Sequence, residues 1–185
     1  MLSLLSRKQS QKLIFAAVAM VILSAGAFAA GQHAGGHGHG PDIGKPGKAA
    51  AVTRTIEMVM SDNRYTPETI TVKKGETIRF KVRNAGQIVH EFNIGTAAMH
   101  AAHQKEMAMM AEHGVLGIDK IYHDKMNMNM GGGKAMKHDD PNSVLLEPGK
   151  SGEVIWTFSA NAKLEFACNV PGHYEAGMKG EIEIE

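Results

Sequence analysis

The run FACNVPGHYEAGMKG, close to the end of this 185-residue chain, carries three side chains that suit a soft or borderline metal. They are Cys168, His173 and Met178, five residues apart, with Pro171-Gly172 between the first two. Cys168 is the only cysteine, so it has no disulfide partner within the chain. In an oxidising compartment such a thiol must be buried and inert, joined to another molecule, or held by a metal. A strand ending at Cys168 and another starting after Met178 would fold the three side chains back toward one point, making the loop a chelate.

One more nitrogen donor would complete two imidazoles, a thiolate and a thioether, the ligand set of a copper electron-transfer site. His90, in QIVHEFNIG, is the best candidate, because it sits in a strand-like segment beside the turn Asn84-Ala85-Gly86. Thiolate and thioether favour Cu(I), and imidazole serves both oxidation states. A mixed set therefore holds either with little rearrangement, which allows fast one-electron exchange. The bland reading is that Cys168 packs on an apolar strand face and Met178 fills a core. The Cys, His and Met together on a Pro-Gly loop weigh against it. Zinc is disfavoured because structural zinc takes paired Cys and His, and this chain has no CxxC.

The elements that must position these residues are strands. From Thr53 onward come TRTIEMVM, ETITV and ETIRFKVRN, and later SGEVIWTFS, KLEFAC and KGEIEIE, separated by turn chemistry such as Lys74-Gly75 and Pro148-Gly149. Ile78, Phe80 and Val82 alternate with Arg79, Lys81 and Arg83, the period of a strand with one buried face. About seven short strands, counting the His90 segment, predict an all-β sandwich with Greek-key connections.

Residues 1–29 read as a secretory signal, with Arg7, Lys8 and Lys12 ahead of an apolar run and a cleavage site at Ala27-Phe28-Ala29. An uncleaved anchor is the rival, but the run is marginal in length for a bilayer. Residues 30–50 read as a His/Gly-rich flexible linker, whose His33, His37 and His39 suit a weak metal site and an incidental role equally. Residues 51–185 form the domain. The near-neutral charge gives no reason to expect nucleic acid, and the mature chain has no expected membrane span.

NAGQIVHEFNIG together with FACNVPGHYEAGMKGEIEI resembles the cupredoxin superfamily of type 1 copper proteins, over residues 52–95 and 143–185. The resemblance implies copper ligands at His90, Cys168, His173 and Met178. The Met/His-rich insertion and the His-rich N-terminus are most similar to the periplasmic CopI-like cupredoxins associated with copper tolerance. Two departures stand out. The loop has four residues before His173 and four before Met178, and Glu91 follows the first histidine where many blue-copper proteins have Asn. Neither a reduction potential nor a blue or green colour is therefore carried over.

Residues 96–142 form an insertion of another kind, partly helical, with a stop at Gly114. On a helix, Met99, His103, Met107 and Met110 make one stripe, expected to pack on a core, while His100 and His113 are expected to be solvated. Met126, Met128, Met130 and Met136 have Asn and Gly neighbours and no core to fill, which favours an additional, soft Cu(I) site.

The expected function is a periplasmic copper-binding cupredoxin serving copper tolerance, capable of one-electron transfer with a redox partner protein. A dedicated shuttle between respiratory partners is the alternative. A copper oxidase or nitrite reductase is less favoured, since it needs further His-rich copper sites, and no hydrolase, phosphate-loop or metalloprotease motif supports another enzyme.

Overall fold

The computed structural model describes residues 42–126, 138–159 and 162–185, so the expected signal and most of the expected linker lie outside the described residues. Among the described residues ten strands form two five-stranded sheets. The strands are β1 (Lys45–Pro46), β2 (Arg54–Ser61), β3 (Arg64–Thr66), β4 (Thr69–Val72), β5 (Thr77–Asn84), β6 (His90–Gly95), β7 (Ser143–Leu146), β8 (Ser151–Thr157), β9 (Leu164–Ala167) and β10 (Lys179–Ile184). One sheet runs β1-β8-β5-β2-β3 and the other β4-β10-β9-β6-β7. Pairing is antiparallel except for β2 with β5 and β4 with β10. The chain is the β-sandwich its strand pattern predicts.

Seven of these strands follow the runs read from sequence; β1, β3 and β7 are additional. β1 falls inside the stretch read as linker, where Lys45 pairs with Thr157 and the Trp156 indole donates to the Ile43 carbonyl at 2.9 Å. The core is the apolar face of both sheets. Tyr65, Phe80, Phe92, Phe158 and Phe166 form its aromatic centre, with ring centroids 5.1–6.2 Å apart. Those separations and the mostly tilted or edge-on geometries suit the ring quadrupole.

Among its described residues the β6–β7 connection carries one α-helix, α1 (Ala97–Glu112). Thr96 caps it by accepting from the Met99 amide at 3.3 Å. The helix buries His100, Met107 and Met110, while Met99 is exposed. The inward face is thus rotated from the expected stripe, and His100 is covered where solvent was expected. Met107 and Met110 join Val89, Val115, Leu116 and Ile121 in a second small core, with Met126, Leu145 and Val170 packed against it. Val170 belongs to the Cys168–Met178 loop and Val89 precedes His90, so this core braces the approaches to both. No described helix is long and apolar enough to cross a membrane.

Candidate metal centre

β6 and β9 are neighbours in one sheet, and their register sets the centre. Asn93 pairs with Ala167, which brings His90 and Cys168 to the same end of the sandwich. β9 also pairs with β10, with Ala167 opposite Lys179. One step further, the Cys168 amide donates to the Met178 carbonyl at 3.1 Å. Directly opposed residues of an antiparallel pair share a face. Cys168 and Met178 therefore stand side by side at the neck of the loop, both fully buried.

The loop closes by short-range bonds. His173 donates its amide to the Val170 carbonyl at 3.0 Å, and Met178 donates to the His173 carbonyl at 2.9 Å. Gly172 and Gly177 take φ of 86° and 91°, where a side chain would be strained. The result holds His173 Nδ1 3.2 Å from Cys168 Sγ. His90 Nδ1 is 4.0 Å from the same sulfur, and the two imidazole centroids are 5.0 Å apart. His90, Cys168 and His173 thus converge. His173 alone of the four residues is not fully buried.

The surroundings fix orientation. Asp62, which sequence reasoning did not find, holds His90 Nε2 at 3.0 Å. A carboxylate only accepts, so Nε2 carries the proton and Nδ1 is left with a lone pair toward the sulfur. Gly86 makes room for this pair, because a Cβ there would lie 2.9 Å from His90 Nε2 and closer still to Asp62 Oδ1. Asn84 ties the same turn down, donating to the Ile88 and Leu146 carbonyls at 2.8 and 2.9 Å. The Glu91 amide donates to Cys168 Sγ at 3.3 Å.

Burial sets the protonation of the group. It pushes the Cys168 thiol up to about 12 and the His173 imidazole down to about 4. His90 is lowered too, chiefly by burial, against the opposing bond to Asp62. Neutral imidazoles present lone pairs, and a largely buried pocket with one thiol and two such nitrogens matches a metal that carries its own charge in. The donor chemistry therefore fits copper.

Glu91 was noted only for its place after His90. It is fully buried, and its Oε2 accepts from the Asn169 amide and side chain at 3.1 and 2.8 Å. This carboxylate links β6 to the loop that follows Cys168. Its Oε1 faces His103 Nε2 at 2.9 Å and His138 Nε2 at 2.6 Å. Burial pushes the Glu91 carboxyl up, but the hydrogen bonds and charges of those histidines outweigh it and hold it well below the usual range. Burial likewise opposes charge on His103, yet the Glu91 bond and charge lift it to about 9. Of the expected Cu(I) residues, Met126 is half-buried against the second core, and Met128, Met130 and Met136 lie outside the described residues.

Comparison with known proteins places the chain. A family model described as a cupredoxin-like domain matches residues 13–113. The copper-resistant cuproprotein CopI of Pseudomonas aeruginosa is 51% identical over 153 residues, covering 80% of this chain and 84% of that protein. The protein of the same description from Rubrivivax gelatinosus is 42% identical over 155 residues, covering 82% and 80%. Among solved structures, reduced auracyanin from Roseiflexus castenholzii superposes with a TM-score of 0.51 at 24% identity, covering 72% of this chain and 98% of its own. Auracyanin B gives 0.54 at 18% identity, covering 79% and 96%. These structures share the fold, and the sequence relatives carry the assignment further: the chain belongs to the cupredoxin family, among its CopI-like members.

Proposed function

We propose that this protein is a periplasmic cupredoxin that holds one copper ion through His90, Cys168, His173 and Met178 and serves copper tolerance, exported by cleavage of residues 1–29. The carrying observation is the convergence of Cys168 Sγ, His173 Nδ1 and His90 Nδ1 in a buried pocket, at 3.2 and 4.0 Å from the sulfur. The CopI relatives, described as copper-resistant cuproproteins, support the physiological role. When bound, copper supplies a reversible one-electron couple.

The protein's own residues do the rest. Asp62 orients His90, the Glu91 amide donates to the sulfur, and the loop neck keeps Met178 beside Cys168. Groups fixed before the metal arrives need little movement between oxidation states. His173 is the member of the set that reaches the surface, flanked by exposed Pro171, Gly172, Glu175 and Ala176, and this is the face for a redox partner. The role is binding and electron exchange, without turnover of a substrate. Met128, Met130 and Met136, together with Met126, which also packs against the second core, add a softer element suited to Cu(I).

Copper titration followed by electronic spectrum tests this reading. The full chain should take up one Cu(II) with an intense visible band from sulfur-to-copper charge transfer, and Cys168→Ala should lack that band. A Cys168→Ala protein that keeps the parent's visible spectrum overturns the assignment.

A further inference from the structure

β6 alternates, so His90, Phe92 and Ile94 face the sandwich interior while Glu91, Asn93 and Gly95 face outward. An outward carboxylate on such a sheet ordinarily meets water. Here the insertion covers it, and every residue of β6 is buried. A buried carboxylate costs several kcal/mol unless it is fully compensated. The compensation is uneven. Oε2 has the two Asn169 donors, but Oε1 has four groups within reach: His103 Nε2, His138 Nε2, Ser143 Oγ at 2.6 Å and Asn93 Nδ2 at 3.2 Å. A carboxylate oxygen has about two lone-pair sites, so it cannot satisfy four donors well.

The histidines sharpen the point. His103 Nε2 and His138 Nε2 are 3.3 Å from each other as well as from Glu91 Oε1 at the shorter distances above. On the far side of its ring, His103 Nδ1 is 3.2 Å from Glu106 Oε2. Glu106 can only accept, so Nδ1 carries a proton and, in the neutral ring, Nε2 is a bare lone pair aimed at a carboxylate and a second imidazole. Something positive must sit between them. That is a second proton on the ring, the Nε2 proton of His138, or a metal ion. Three donors each about 2.0–2.2 Å from one cation lie about 3 Å from one another, which is the spacing seen. The outer carboxylate on the non-facing nitrogen repeats the Asp62–His90 arrangement and is the usual way a ligating imidazole is oriented.

We infer that Glu91, His103 and His138 form a second metal site, distinct from the cluster around Cys168, that takes Cu(II). The donors are two nitrogens and one oxygen with no sulfur, which disfavours Cu(I), and among the divalent first-row ions such a set binds copper most tightly. Binding displaces one proton from each imidazole that carries it on Nε2. The site is separate in kind from the methionine run, which offers thioethers only. Nor does it depend on the ligand roles proposed at Cys168.

The test is a copper count on the full chain carrying His33→Ala, His37→Ala and His39→Ala, so that the N-terminal histidines do not compete. Equilibrium dialysis against copper sulfate gives the Cu(II) bound per chain. The visible band follows the Cys168 cluster, and electron paramagnetic resonance reports copper with nitrogen and oxygen donors alone. Adding His138→Gln should remove one Cu(II) per chain and that second signal, leaving the visible band unchanged. His103→Gln should do the same, which guards against one variant misfolding. Equal copper counts with and without these substitutions would overturn the site and leave a hydrogen-bonded clasp. So would loss of the visible band in step with the count, since the trio would then be support for Cys168. Filling by zinc sulfate at equal total zinc and copper would overturn the Cu(II) preference. If no protein shows a visible band, the reading at Cys168 fails and the difference in count still decides this one.

Discussion

His90 and Glu91 are adjacent on one strand and serve two clusters of opposite character. The inner cluster of His90, Cys168, His173 and Met178 is built by sheet register and a hairpin neck, and it joins sulfur to nitrogen. The outer cluster of Glu91, His103 and His138 is built by laying a helix and the end of a long connection over a sheet face, and it joins nitrogen to carboxylate. The first is carried by sandwich strands, with the insertion touching its approaches only through Val89 and Val170. The second exists because the β6–β7 connection returns to cover it. The difference shows how an insertion can add chemistry to a fold without altering the strands that carry the original site.

The sharpest way to separate the two is to loosen the insertion. Met107 is fully buried in the second core, and Met107→Ala should cost about 2–3 kcal/mol in urea unfolding, the lower part of the range for such truncations because a surface helix can settle. The visible band at Cys168 should survive while Cu(II) binding at the outer trio weakens. Loss of the band as well would mean that the inner cluster leans on the insertion, through Val89 and Val170.

A smaller effect is expected from Asp62→Ala, which removes the carboxylate from His90 Nε2. Copper affinity at the inner cluster should fall about 10-fold, toward the low end for lost orienting groups because Asp62 is partly exposed. Chelator competition measures this. The outer trio should be untouched, and equal weakening at both would break the separation.

The last effect is one of slope. In the metal-free protein His103 is raised to about 9 from an ordinary 6.5 by Glu91, assisted by Glu106 and Asp140. Stability from this pairing is complete below about pH 6.5, where folded and unfolded chains both carry the proton, and is lost as pH rises through about 9. The stability difference between the parent and His103→Ala should therefore shrink across that interval in metal-free urea titrations. A difference that is flat with pH would mean His103 is neutral in the fold.

The strands and the inner cluster were legible for different reasons. Period-two alternation marks β5, where Ile78, Phe80 and Val82 go inward, because only one face of that strand meets the core. Cys168, His173 and Met178 stand out because their types are scarce in combination and their loop is short. β1 and β3, at two and three residues, are too brief to show a period. The buried face of α1 was misplaced because alanine and methionine occur all round it, so apolar spacing does not single out His100, Met107 and Met110. Asp62 and His138 could not be found by spacing at all, and Glu106 only faintly. Each matters through an approach across 28, 3 or 47 residues to a partner, and among those only the i,i+3 contact of Glu106 with His103 leaves a local trace.

Covering β6 on both faces also changes what substitutions the strand can accept. In a sheet with one wet face, alternate positions drift freely, since a polar side chain there exchanges one hydration shell for another. Residues 91, 93 and 95 have lost that freedom. A Cβ on Gly95 would lie 3.3–3.4 Å from the His100 ring and Met99, and Asn93 accepts from Asn142 at 3.3 Å. Among relatives that lack the insertion these positions should vary widely, whereas in chains that keep it all of β6 should evolve at the pace of a core, so that a long connection leaves its imprint on a strand it does not belong to.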